Sequence, residues 1–111
     1  MNTRFEKKLY LGFLNIHILY HASIEPIYGV WMIDELNHHG YNVGASHIYP
    51  LLKEMTAEGL LSMAEKNENG RIRKYYFITE KGNLFLSDLK QKVKELSSEI
   101  STKKEKEVKF I

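Results

Sequence analysis

From Phe5 to Ala22, apolar side chains fall at positions 9, 10, 11, 13, 14, 16, 18, 19 and 20. Leu9, Phe13, Ile16 and Tyr20 repeat at helical spacing, and Leu11, Leu14 and Ile18 form a second stripe. A helix that is apolar on two faces has to be covered on both. In a chain of 111 residues, the second cover is expected to be another subunit. Glu25-Pro26 ends the segment, because the residue before a proline is pushed out of helical geometry.

A second helix is expected over about 27–38, with Met32, Ile33 and Leu36 facing inward and Gly40 as its stop. A third carries Ile48, Leu51, Leu52 and Met55 at helical spacing, reaches Glu58 and is terminated by Gly59. Two starts fit it. With Ser46 as N-cap, Pro50 falls near the end of the first turn and forfeits at most one backbone bond. A start at Gly44 puts Pro50 in the interior and kinks the helix. The Ser46 start costs less. The short connection 39–43 contains a glycine, so the second and third helices read as a helix-turn-helix.

Strand-like residues follow over 60–65 and 71–79, separated by Lys66-Asn67-Glu68-Asn69-Gly70. Asn69-Gly70 is a strong hairpin signal, since both residues tolerate positive φ. Alternation puts Ile72, Tyr76 and Ile78 on one side of the second strand and Arg71, Arg73, Tyr75 and Phe77 on the other. Neither side is purely polar, so the pattern leaves the facing open. Thr79 is a natural N-cap for a last helix. There Leu86, Leu89, Val93, Leu96 and Ile100 step by three and four in turn, an a/d seam flanked by Lys and Glu. Within the chain that seam has only the first helix to pack on. With Leu9, Phe13 and Ile16 it is the expected dimerisation surface. The fold class is therefore mainly α (α+β): a winged helix-turn-helix over 1–79, a C-terminal dimerisation helix over 80–103 and a disordered tail over 104–111.

Composition narrows the chemistry. At 13.0 kDa there is room for one small domain. With no cysteine, disulfides, thiolate zinc sites and thiol nucleophiles are excluded, which suits a reducing cytoplasm. The apolar run from Leu9 to Ala22 is too short for a membrane span and is interrupted by Asn15, His17 and His21. No cleavable leader pattern follows the charged start. The net charge of +2 hides a basic hairpin (Lys66, Arg71, Arg73, Lys74) beside an acidic middle. A helix of about 10–12 Å diameter fits the major groove, and cations on the adjoining hairpin neutralise phosphates.

Tyr28-Gly29, Ile48-Tyr49-Pro50-Leu51-Leu52, Glu58-Gly59-Leu60-Leu61 and Gly70-Arg71-Ile72-Arg73-Lys74-Tyr75-Tyr76, followed by Ile78-Thr79-Glu80-Lys81-Gly82, resemble the PadR family of transcriptional regulators over about residues 9–90. The resemblance implies a homodimeric winged-helix repressor of a near-palindromic operator, released by a small hydrophobic or aromatic effector. The single short C-terminal helix is similar to the family's small subfamily, where it serves dimerisation. The chain departs from the family pattern at Gly44, Ser46 and His47, so its operator is expected to differ from those of relatives. Ser46, His47 and Tyr49, at the start of the third helix, are the expected base or phosphate contacts, with Lys53 one turn on as a phosphate contact. On the wing, Arg71 and Arg73 are expected to enter the minor groove, with Lys74, Asn69 and Gly70 at the backbone.

His17 and His21 have metal-compatible i, i+4 spacing, but no third ligand lies near in sequence. They are expected to be hydrogen-bonded interface histidines, with no metal and no cofactor. His38-His39 is expected simply to end the second helix. Trp31 stands where the family usually has a polar residue. It reads as packing or, with tyrosines of the first helix, as an aromatic wall for a flat effector. The alternative function is a winged-helix protein-interaction module that does not bind DNA. No nucleophile–base pairing or phosphate loop points to an enzyme.

Overall fold

The computed structural model describes residues 3–102. The elements run α1 (Arg4–Ile24), α2 (Gly29–His38), α3 (Ala45–Ala57), β1 (Leu61–Glu68), β2 (Arg71–Ile78) and α4 (Glu80–Ser101). This is the expected winged helix-turn-helix with a long last helix. The tail over 104–111 lies outside the described residues.

Among the described residues, the core is built from aliphatic side chains, methionines and one tyrosine. Leu14, Ile18 and Leu19 of α1, Met32 and Leu36 of α2, and Ile48 and Leu52 of α3 are buried together with Ile27, Leu61, Tyr76 and Leu86. On α1 the Leu14–Ile18 stripe is the one its own chain covers. Leu9 and Phe13, on the other stripe, stay about half exposed.

Three local findings refine the expected elements. First, α2 begins at Gly29 rather than 27. Ile27 instead exchanges both backbone hydrogen bonds with Tyr76, at 3.0 and 2.7 Å, as a one-residue third strand beside β2. Second, the N-cap of α3 is Gly44, not Ser46, so Pro50 lies inside the helix. The reason is tertiary and local at once. The Asn37 side chain accepts from the Val43 N–H and donates to the Val43 carbonyl, both at 2.9 Å, which fixes the turn. His47 Nδ1 then accepts from the Gly44 N–H at 3.1 Å, closing half of a capping box. Third, β1 extends to Glu68, so the loop is only Asn69-Gly70, with φ of 52° and 81°. Two successive positive φ values make a type I′ turn, whose twist matches that of the strands. The register pairs Glu68 with Arg71, Lys66 with Arg73 and Leu61 with Ile78. The side chains left open by alternation are thereby placed: Tyr76 faces the core, while Ile72, near the tip, is 64% exposed.

Thr79 caps α4 as expected, accepting from the Gly82 N–H at 3.0 Å. Its hydroxyl also donates to the Gly59 carbonyl at 2.6 Å, so the α4 start is tied to the α3 end. Along the seam, exposure rises from 3% at Leu86 through 44% at Val93 and 51% at Leu96 to 73% at Ile100. With Leu89 still packed against the core, the helix leaves it after about three turns.

Gly82 sits where α4 meets the strand root. A Cβ there would lie 2.2 Å from the Leu60 carbonyl oxygen and 2.8 Å from Ile78 Cγ1. Gly82→Ala should destabilise the fold by about 1–3 kcal/mol, the usual cost of overpacking. Gly12→Ala, on an open helical surface, should gain up to about 1 kcal/mol from helix propensity. Urea unfolding of the two variants side by side checks both signs.

Candidate nucleic-acid interface

The first turns of α3 expose Ser46, His47, Tyr49 and Lys53, while Ile48, Leu51, Leu52 and Met55 anchor the opposite face. His47 serves two ends. Because its Nδ1 accepts from the Gly44 backbone, the neutral ring carries its proton on Nε2. Tyr49 lies against Gly29. A Cβ on that glycine would come 2.3 Å from Tyr49 Cε1, so the Tyr28-Gly29 pair gives the Tyr49 ring its place. Tyr49 remains 43% exposed.

Between α3 and the hairpin lies an open cleft of about 880 Å³, lined by Tyr49, Lys53, Arg71, Ile72, Arg73 and Lys74, with the α2 start as its floor. The cleft thus brings together Tyr49, Lys53, Arg71, Arg73 and Lys74 of the residues that the sequence singled out, while Ser46, His47, Asn69 and Gly70 are not among those that line it. Asn69 and Gly70 form the wing tip, and the Asn67 side chain accepts from the Gly70 N–H at 3.0 Å. Arg71 and Lys74 are exposed.

Arg73 is not a free finger. Its guanidinium lies 4.1 Å from the centroid of the Tyr28 ring and 3.6 Å from Glu68. The Tyr75 hydroxyl donates to the same Glu68, a bond that raises the phenol above its ordinary pKa. Tyr28 packs edge-on to Tyr75 at 5.5 Å. Arg73, Tyr28, Tyr75 and Glu68 therefore brace the wing. Tyr28 and Ile72 also line the cleft and were not singled out from the sequence, where alternation left the facing of Ile72 open.

A second cluster lies on the far side of α2. His17, His21 and His39 each offer a ring nitrogen, and the three nitrogens lie within 4.8 Å of one another. Glu35 Oε2 lies 3.4 Å from His21 Nε2 and 3.3 Å from His39 Nε2. His39 thus does more than end a helix, which its sequence position did not suggest. Burial lowers the pKa of both His17 and His21. His39 lowers both further, and Glu35 opposes the shift. Trp31 is edge-on to His21 at 5.3 Å, and Tyr41 edge-on to His17 at 5.3 Å. The cluster borders an apolar groove of about 750 Å³ between α1 and α4, which includes Phe13, Ile16, Leu86 and Val93. Leu89 is partly buried against the core beside it. Among the described residues, no helix is long and apolar enough to cross a membrane.

Residues 18–88 match the PadR-like family of transcriptional regulators. The transcriptional regulator Rv3488 of Mycobacterium tuberculosis is 34% identical over 87 residues, which are 78% of this chain and 81% of the relative. Among solved structures, a PadR-like transcriptional regulator from Bacillus cereus superimposes with a TM-score of 0.77 at 38% identity, covering 85% of this chain and 93% of its own. A PadR family regulator from Eggerthella lenta gives 0.75 at 28%, covering 87% and 86%. The fold, the motifs and these likenesses agree: the chain belongs to the PadR-like family of transcriptional regulators.

Proposed function

We propose that this regulator binds DNA sequence-specifically as a homodimer and acts as a repressor at a near-palindromic operator. The observation that carries this reading is the cleft: Tyr49 and Lys53 of α3 and the cationic hairpin residues Arg71, Arg73 and Lys74 line one open groove. Ser46, His47 and Tyr49 read base edges or phosphates, and Lys53 contacts a phosphate. Arg71, Lys74, Asn69 and Gly70 engage the backbone around the minor groove. Arg73 holds the wing in place and approaches DNA only with its outer edge.

Dimerisation uses Leu9, Phe13 and Ile16 of α1 with Leu89, Val93, Leu96 and Ile100 of α4, while Leu86 anchors α4 to its own core. What supports this is the rise in exposure along the seam, together with the half-exposed α1 stripe beside it. A two-fold axis through these helices would set two recognition helices about 34 Å apart, one turn of duplex. Trp31, half-buried beside His21 and close to the α1–α4 groove, is the aromatic wall for a small hydrophobic or aromatic effector. Such a compound releases DNA only by preferring one arrangement of the subunits over the other.

Two measurements test the reading. Operator sequences selected from a random duplex pool give the probe. On it, Arg71→Ala with Lys74→Ala should weaken binding to operator and unrelated duplex alike, and flatten the dependence of log K on log salt by about two contacts. Fluorescence anisotropy across a salt series reads both, and an unchanged slope removes the wing from the interface. Val93→Asp with Leu96→Asp should yield a folded monomer by light scattering and circular dichroism, with operator affinity lowered at least about tenfold, since linked half-sites are lost. A dimer that survives this change places its interface elsewhere.

A further inference from the structure

We propose that His17, His21 and His39, with Glu35, form a binding site for a borderline divalent transition-metal ion of the zinc class. The inference does not rest on the DNA-binding reading, because occupancy is measured with no DNA present.

The geometry has three parts. The residues are two i, i+4 pairs: His17 and His21 on α1, Glu35 on α2 and His39 at its C-cap. Each pair projects from one face of its helix, and the packing of α1 against α2 brings the pairs together. The three ligand nitrogens already lie within 4.8 Å of one another. A tetrahedral ion with bonds of roughly 2.0–2.1 Å needs ligand–ligand edges of about 3.3–3.4 Å. The two Glu35 contacts, at 3.4 and 3.3 Å, already have that length. A charge-assisted hydrogen bond would be shorter, at about 2.7–2.9 Å. Thus the carboxylate already stands at tetrahedral edge length from two imidazoles, and each pair of imidazole nitrogens has to close by at most about one and a half ångströms from the 4.8 Å limit, a shift within the reach of side-chain rotation.

The chemistry selects the ion. Three imidazoles and one carboxylate suit zinc, cobalt, nickel or copper, whereas calcium and magnesium require oxygen ligands. His17 and His21 are half-buried, flanked by the edges of Tyr20, Trp31 and Tyr41. Such a partly dry collar strengthens the attraction of ion for ligands and orients the rings. On the groove side, Lys90 and Lys94 of α4 are the facing cations. Lys90 is drawn toward the Tyr20 ring, 6.0 Å from its centroid.

The test uses the untagged full chain, stripped of metal by chelation and titrated with zinc chloride by calorimetry. One zinc per chain is expected. Cobalt should give the visible bands of a tetrahedral centre and quench the emission of Trp31, the only tryptophan. Loss of a direct ligand in His21→Ala or His39→Ala should lower affinity by more than the roughly 10–100-fold that loss of an outer partner costs. His39, 48% exposed, is the substitution least able to disturb folding, and circular dichroism checks each variant. His38→Ala, on the neighbouring exposed position, should bind as the parent does. Absence of zinc binding by the parent would overturn the site. So would parental affinity in His39→Ala, or magnesium binding as tightly as zinc.

Discussion

The two backbone hydrogen bonds between Ile27 and Tyr76 hold the hairpin to the helices. An isolated two-stranded hairpin is marginal in water. Here its root gains a one-residue third strand and a buried Tyr76 ring, while Leu61 and Ile78 close the same end against the core. That join has a geometric consequence. Ile27 is followed directly by Tyr28 and then by the first turn of α2, so the strand edge and the helix-turn-helix are one continuous piece of chain. The wing cannot swing away from α3 without breaking either the pair of hydrogen bonds or the burial of Tyr76. The width of the cleft between them is therefore a property of the core.

Glycine and tyrosine tune the same join. Gly29 is buried because the Tyr49 ring occupies the space a side chain would need. Tyr28, one residue earlier, turns the other way to receive the Arg73 guanidinium. One dipeptide thus positions a residue of the helix and a residue of the wing. Its cost is that Arg73, one of the two arginines of the sequence motif, is held on the protein by an aromatic face and by Glu68. The freely presented charges at the cleft are Arg71, Lys74 and Lys53.

Features written locally were legible in the sequence, and features created by packing were not. The Asn69-Gly70 turn, the Thr79 cap and the a/d seam each depend on residues within a few positions, and each appears where expected. The start of α3 depends on Asn37 reaching six residues ahead to Val43 and on His47 reaching back to Gly44, so the economical Ser46 start lost. Ile27 became a strand through a partner 49 positions later, which no periodicity could signal. The same holds for the histidines. His17 and His21 looked like half a site because their complement, Glu35 and His39, arrives only when α2 folds back on α1.

That complement stands at a particular mechanical position. α1 carries the half-exposed stripe that faces α4, and α2 is the first helix of the helix-turn-helix. A ligand bound by both helices fixes the angle between the surface expected to meet a second subunit and the element expected to meet DNA. Angle matters because two recognition helices on one duplex must match its pitch. A metal or an aromatic compound at the His–Trp31 cluster would therefore alter DNA affinity through geometry, with no contact to the nucleic acid. By linkage, DNA would alter the affinity of the cluster for its ligand by the same factor.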